Sequence, residues 1–193
     1  MLKVDGISRS YGDLKVVDQL SFTVNEGEFV ALLGPSGCGK STSLKMIAGL
    51  EVPDEGSIHL DGRDITQLSP GDRKLAMVFQ SYALFPHLKV EENILFGLQA
   101  RKVPKNEQKK RLDSVVELVG LGDHLQKKPG QLSGGQCQRV ALARAIVAQA
   151  KLCLMDEPLS NLDAKLRNEM RTEIRALQQR LGMSVIYVTH DQV

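Results

Sequence analysis

One octapeptide narrows the choice of folds more than any other stretch: Gly34-Pro35-Ser36-Gly37-Cys38-Gly39-Lys40-Ser41. It follows a continuous apolar run, Phe29-Val30-Ala31-Leu32-Leu33, as expected for a strand buried on both faces. A helical pattern through Leu44, Met46 and Ile47 comes next and ends near Gly49. The spacing is that of a phosphate loop, G-x-x-x-x-G-K-[ST]. Its glycines let backbone N–H groups curl around phosphate oxygens, and the helix N-terminus adds favourable partial charge. On this reading Gly34, Ser36, Gly37, Cys38, Gly39, Lys40, Ser41 and Thr42 form a nucleotide cradle. Lys40 would neutralise the β and γ phosphates, and Ser41 would ligate Mg²⁺. The plainer alternative is a glycine turn with an exposed lysine, which the strand–turn–helix context disfavours.

Composition removes several function classes. The 193 residues carry 25 Lys plus Arg against 23 Asp plus Glu, a net charge of +2, so there is no electrostatic case for nucleic acid. A hydrophobic fraction of 42% with mixed charge excludes a disordered chain and allows a sizeable core. Apolar runs are too short to span a bilayer, and Met1-Leu2-Lys3-Val4-Asp5 does not read as a signal peptide, so any membrane role is peripheral. Cys38, Cys137 and Cys153 fit neither a disulfide framework nor a zinc site, which points to a reducing cytosol.

There is no short repeat or low-complexity tract. Ser21–Val24 alternates polar and apolar, and Ser57–Leu60 leads through Asp61-Gly62 into a hairpin. Leu75–Phe79 reads as a further buried strand. From Val90 to about Leu121 the pattern is helical, with Leu112, Val115, Val116 and Val119 on one face. A helix follows from about Gly135 to Gln149, then a strand Leu152–Met155. A charged helix from Asp163 to Arg180, capped by Gly182, precedes the last strand, Ser184–Thr189. Strands alternating with helices predict an α/β fold with a parallel sheet. Residues 88–138 read as a helical lobe inserted into an α/β core formed by 1–87 and 139–193.

Two further stretches carry chemistry. Asp156-Glu157 closes the strand Leu152–Met155, at the sheet edge where α/β ligands bind. Asp156 would hold Mg²⁺ through water, and Glu157 would act as general base on an attacking water. The alternative is an acidic pair ending a strand before Pro158. Leu132-Ser133-Gly134-Gly135-Gln136 opens a helix and makes a second anion-seeking N-terminus, or else an ordinary capped helix.

With these motifs in this order, the chain resembles the ATP-binding cassette (ABC) transporter ATPases over essentially its whole length. The resemblance implies a P-loop NTPase (RecA-like) core, an N-terminal antiparallel β subdomain and an inserted helical subdomain. In that family the LSGGQ stretch, here Ser133, Gly134, Gly135 and Gln136 after Leu132, closes over the γ-phosphate of an ATP held by a second subunit. The implied working unit is a head-to-tail homodimer, or a pair with a paralogous ATPase, holding two ATP molecules with Mg²⁺. Tyr11 resembles the aromatic that stacks on adenine, with Val16 beside the base; a surface tyrosine beside Gly12 is the alternative. Gln80 resembles the glutamine that reaches Mg²⁺ and the attacking water. Ser160-Asn161-Leu162-Asp163 resembles the loop crossing the dimer seam, although Asp163 also suits a helix N-cap. His190, in Val188-Thr189-His190-Asp191, resembles the switch histidine that orients Glu157. Catalysis would thus rest on Glu157, His190 and Gln80, and the metal on Ser41, Gln80 and Asp156.

Two departures stand out. Cys137 follows LSGGQ where the family commonly has a larger polar residue. Thiols at Cys137 and Cys38 would be modifiable near ATP, unless both are merely small residues. The chain also stops three residues after His190, short of the family's remaining core elements, as in a C-terminally truncated cassette. Gln80-Ser81-Tyr82-Ala83-Leu84-Phe85-Pro86-His87 offers apolar and aromatic side chains for docking a transmembrane permease subunit, or for local packing. Phe79–Asn93 and Glu157–Asp191 are similar to bacterial importer ATPases serving sugars and related solutes, with a solute-binding protein as indirect partner. The implied location is the cytoplasmic face of the inner membrane. The competing classes are an ATP-binding module without turnover and a soluble cassette for DNA repair or translation; the latter wants a coiled-coil insertion or second cassette that does not fit in this length.

Overall fold

A computed structural model describes residues 1–190; Asp191 and the chain end lie outside the described residues. The strands in chain order are β1 (Leu2–Tyr11), β2 (Leu14–Val24), β3 (Phe29–Leu33), β4 (Glu55–Leu60), β5 (Arg63–Asp64), β6 (Ala76–Val78), β7 (Leu152–Asp156) and β8 (Ser184–Thr189). The helices are α1 (Lys40–Ala48), α2 (Pro70–Arg73), α3 (Val90–Ala100), α4 (Lys105–Val119), α5 (Gly134–Val147) and α6 (Ala164–Leu181).

The chain forms two compact units. The first comprises Met1–Met77, Lys151–Glu157 and Arg175 onward; the second comprises Val78–Ala150 and Pro158–Ile174. The first unit is built on two four-stranded sheets. One has the order β2-β1-β4-β5 and is antiparallel, with Leu2 opposite Val24 and also opposite Leu60. The expected turn at Asp61-Gly62 closes the β4–β5 hairpin, which pairs Leu60 with Arg63. The other sheet has the order β3-β8-β7-β6. Here β3 and β7 both run parallel to β8, with Leu33 opposite Thr189 and Asp156 opposite Val188. That register brings the C-terminal ends of β3, β7 and β8 to one edge, where parallel α/β sheets present their ligand groups.

Burial explains why these segments become strands. Leu152–Met155 and all of β8 are buried, as continuous apolar runs in a parallel sheet should be. Leu154, Ile186, Leu44, Met46, Ile47, Ile7 and Ile58 share one core cluster, and each such side chain stabilises the fold by about 1.5–3 kcal/mol. The strand β3 departs from expectation. It is not buried on both faces: Val30 and Leu32 pack on the core, whereas Ala31 and Leu33 are exposed. The reason is position, since among the described residues β3 lies at the sheet edge and pairs with β8 alone.

The second unit holds α3, α4 and α5. The single helical stretch expected over Val90–Leu121 is two helices broken at Arg101–Pro104. Pro104 cannot continue a helix that precedes it but serves well just before the next. Leu112, Val115, Val116 and Val119 form the buried face of α4, as the periodicity predicts. Among the described residues, no helix is long and apolar enough to cross a membrane.

Candidate nucleotide-binding site

The glycine loop occupies the turn between β3 and α1, as its spacing predicts. Gly39 is the N-cap of α1 with φ 88°, a left-handed conformation that costs a side-chain-bearing residue about 1–2 kcal/mol. A Cβ there would also lie 2.5 Å from the Val16 carbonyl oxygen and 2.9 Å from Val17 Cγ2. Only glycine fits, because the Val16 backbone lies this close to the loop. Ser43 N–H closes the first helical hydrogen bond to Gly39 at 2.8 Å. The N–H groups of Lys40, Ser41 and Thr42 therefore precede the intrahelical ladder and are available to an anion. Lys40 is buried, and its ammonium donates to the carbonyls of Gly34 and Pro35, both at 2.7 Å. Gly34 has Cys38 Sγ within 2.8 Å of its would-be Cβ, and Ser36, Gly37 and Cys38 are exposed.

At the C-terminal end of β7, Asp156 Oδ1 accepts a 2.8 Å hydrogen bond from Ser41 Oγ. Next in the chain, Glu157 has φ 43° and donates its N–H to the Val188 carbonyl at 3.1 Å. A non-glycine residue held in this region stores backbone strain, a trait of functional sites. Its carboxylate Oε2 lies 3.3 Å from His190 Nδ1. The first unit thus gathers Lys40, Ser41, Asp156, Glu157 and His190 around the end of the parallel sheet. Tyr11, at the end of β1, is nearly half exposed and donates its hydroxyl proton to Glu51.

Mg²⁺ and a nucleotide triphosphate fit this donor set. Ser41 and Asp156 offer hard oxygens side by side, the ligand type Mg²⁺ prefers. Among the described residues, no three His, Cys, Asp or Glu side chains gather to cage a metal.

The remaining expected site residues belong to the second unit. Gln80 is exposed, and its carbonyl accepts from Asn161 Nδ2 at 2.9 Å. Ser133 is the N-cap of α5 in a capping box: Gln136 N–H donates to Ser133 Oγ at 3.3 Å and Ser133 N–H to Gln136 Oε1 at 2.9 Å. The two glycines after Ser133 are closely packed, leaving a side chain little room. A Cβ on Gly134 would lie 3.2 Å from Leu162, and one on Gly135 3.1 Å from Leu166. Asp163 is the N-cap of α6, accepting from Leu166 N–H at 3.0 Å.

The two thiols near the expected ATP contacts differ in setting, Cys137 being half-buried and Cys38 exposed. The Cys137 thiol lies 3.7 Å from the Pro129 carbonyl, and burial pushes its pKa up, away from the reactive thiolate. The sequence reading missed Glu51. It matches no motif, and only the fold sets it against Tyr11.

The sequence is similar to those of known proteins. A family model described as "ABC transporter" matches residues 17–160. The sn-glycerol-3-phosphate import ATP-binding protein UgpC of Ruegeria pomeroyi is 53% identical over 192 residues, covering 100% of this chain and 55% of the relative. The oligosaccharides import ATP-binding protein MsmX of Bacillus subtilis is 53% identical, covering 99% of this chain and 53% of the relative. The Fe(3+) ions import ATP-binding protein FbpC of Brucella abortus is 51% identical, covering 97% and 53%. The chain spans about half the length of these curated relatives. With the glycine loop, the acidic strand end and the capped Ser133 helix all inside or beside the matched segment, the chain belongs to the ABC transporter family.

Proposed function

We propose that this chain is the ATP-hydrolysing part of a transporter that imports a solute, of the sugar type or related to it. The observation that carries the reading is the cluster at the end of the parallel sheet: Ser41 on Asp156, and Glu157 against His190, beside the loop of Lys40. Bound Mg²⁺ would neutralise phosphate charge and polarise the γ-phosphoryl group. Ser41 would hold the metal directly, and Asp156 through water. Lys40 would exchange the Gly34 and Pro35 carbonyls for phosphate oxygens. Glu157 would accept the proton of the attacking water, and His190 would orient that carboxylate. Gly34, Ser36, Gly37, Cys38, Gly39 and Thr42 would line the phosphates, with Tyr11 and Val16 at the base.

A second copy, or a paralogous ATPase, would supply the other half of each site. Its Ser133, Gly134, Gly135 and Gln136 would close over the γ-phosphate, with Asp163 at the seam. The helical subdomain, 88–138, and the Gln80 region would pass this closure to transmembrane permease subunits at the cytoplasmic face. Relatives named for sn-glycerol-3-phosphate and oligosaccharide import support the sugar type. Those named for iron or spermidine/putrescine import are about as similar, so cargo choice falls to the permease and a solute-binding protein.

The test is phosphate release from ATP by the native chain and by Glu157→Gln, with ATP binding measured in parallel. Mg²⁺-dependent release that vanishes in the variant while binding persists is the expected result. Native-rate release by the variant removes Glu157 from the mechanism.

A further inference from the structure

The side chain of Tyr11 is held from two directions. Its hydroxyl donates to a carboxylate oxygen of Glu51, and the Arg9 guanidinium lies 5.2 Å from the ring centroid. Arg9 is itself fixed, with Nη1 2.6 Å from Asp54 Oδ1 and Nε 3.8 Å from Glu51 Oε2. Asp54 Oδ2 also accepts from the Ser10 backbone N–H at 2.7 Å, so the end of β1 is tied down beside the ring. Glu51 is anchored in turn. Gly49 ends α1 in the left-handed conformation, and the N–H groups of Leu50 and Glu51 both donate to the Lys45 carbonyl, at 2.9 and 3.3 Å. Lys45 Nζ stands 3.8 Å from Glu51 Oε1.

The consequence is mechanical. The helix that offers its N-terminus to phosphate holds, at its C-terminal end, the carboxylate that fixes Tyr11. A rigid rod of nine residues, about 13 Å long, joins the two. With a cation against one face of the ring, a base is left the other, and a cation behind the ring enriches the stack. An unheld tyrosine at an exposed strand end would lose rotamer freedom on stacking, and the existing bonds have removed that cost already.

We propose that Glu51 is a positioning residue that, together with Arg9, pre-sets the Tyr11 ring as a stacking platform for a purine base. This rests on the reading of Tyr11 as the base-stacking residue. It makes affinity for the base separable from affinity for the phosphates. Glu51 touches neither group; it acts through Tyr11.

The test compares two probes, ATP and inorganic tripolyphosphate, by titration calorimetry with Mg²⁺ on the native chain, Glu51→Gln, Tyr11→Phe, the double variant and Tyr11→Ala. Glu51→Gln keeps the shape but removes the charge that strengthens the phenol's hydrogen bond. It is expected to weaken ATP about three- to tenfold, with tripolyphosphate unchanged. Tyr11→Phe is expected to match it, and the double variant to be no worse than either, since both break one bond. Equal losses for ATP and tripolyphosphate from Glu51→Gln would show a structural or purely electrostatic effect and overturn the proposal. So would unchanged ATP affinity in Glu51→Gln alongside a loss in Tyr11→Ala. If Tyr11→Ala binds ATP as tightly as the native chain, the base-stacking reading itself falls, and this inference with it.

Discussion

Ser41 Oγ donates to Asp156 Oδ1 at 2.8 Å, joining residues 115 positions apart in sequence. The bond links the first turn of α1 to the last residue of β7 and leaves two hard oxygens facing the same space. Replacing Asp156 with Asn keeps the shape and removes the charge a divalent cation needs. Mg²⁺-dependent phosphate release should fall by at least about tenfold. Nucleotide binding measured in chelator should change less than about twofold, because the loop N–H groups and Lys40 are untouched. A Mg²⁺ titration of phosphate release, native against Asp156→Asn, checks both.

Glu157 sits at φ 43°, a conformation that asparagine tolerates better than glutamate. Glu157→Asn should therefore stabilise the fold by about 0.5–1 kcal/mol while abolishing turnover. Urea denaturation and phosphate release on the same preparation test this pairing. A variant that is both less stable and inactive would show that the contacts of the Glu157 side chain, the one to His190 among them, outweigh the backbone strain.

The sequence is informative where chemistry demands a residue type at a fixed spacing. Gly39 is legible because the loop needs φ 88° and the Val16 carbonyl leaves no room for a Cβ. Gly134 and Gly135 are legible as a motif, though their packing against Leu162 and Leu166 is seen only in three dimensions. Periodicity finds α4 and β8, whose faces are uniformly buried. It misjudges β3, because an apolar run looks the same at a sheet edge as at its centre. Of the long strands β1 and β2, only the alternating end Ser21–Val24 is legible, and the rest escapes for the opposite reason. Their pairing passes through several irregular registers between Val4 and Ser10, which blur the period of two. Glu51 was illegible because its partner lies 40 residues away and no spacing rule connects them.

The three thiols should differ sharply in reactivity. Cys38 is exposed in the glycine loop. Burial raises the Cys137 pKa and pushes that of Cys153 up to about 12. The thiolate is the reactive form, so at pH 7 a maleimide should label Cys38 first and Cys137 slowly. Raising the pH should increase the Cys137 rate as its thiolate grows in. Cys153 should react only on unfolding, and Mg²⁺–ATP should protect Cys38 alone. Peptide mass spectrometry over a labelling time course separates the three sites. Labelling of Cys137 at the Cys38 rate would contradict its burial.

Arg73 is a buried charge in the first unit that the nucleotide site does not use. It is 2% exposed, and its guanidinium donates to four backbone carbonyls: Leu68 at 2.9 Å, Met46 at 2.7 Å, Ile47 at 2.8 Å and Thr66 at 2.8 Å. Two of these end α1, so the cation also meets the negative end of that helix. Burial lowers the Arg73 pKa, opposed by Asp64, and the carbonyl cage offsets the desolvation. Arg73→Ala opens a cavity and strips a donor from all four carbonyls, which should destabilise the fold by about 3–5 kcal/mol. Lysine offers a point charge in place of a planar fork and cannot span both the helix end and the 66–68 segment, so Arg73→Lys should still cost about 2 kcal/mol. Gly49→Ala should also be destabilising, since its Cβ would lie 2.5 Å from Arg73 Nε. Urea denaturation of the three variants is the measurement. A loss below about 1 kcal/mol for Arg73→Ala would show that the carbonyls find other partners and that α1 needs no such clamp.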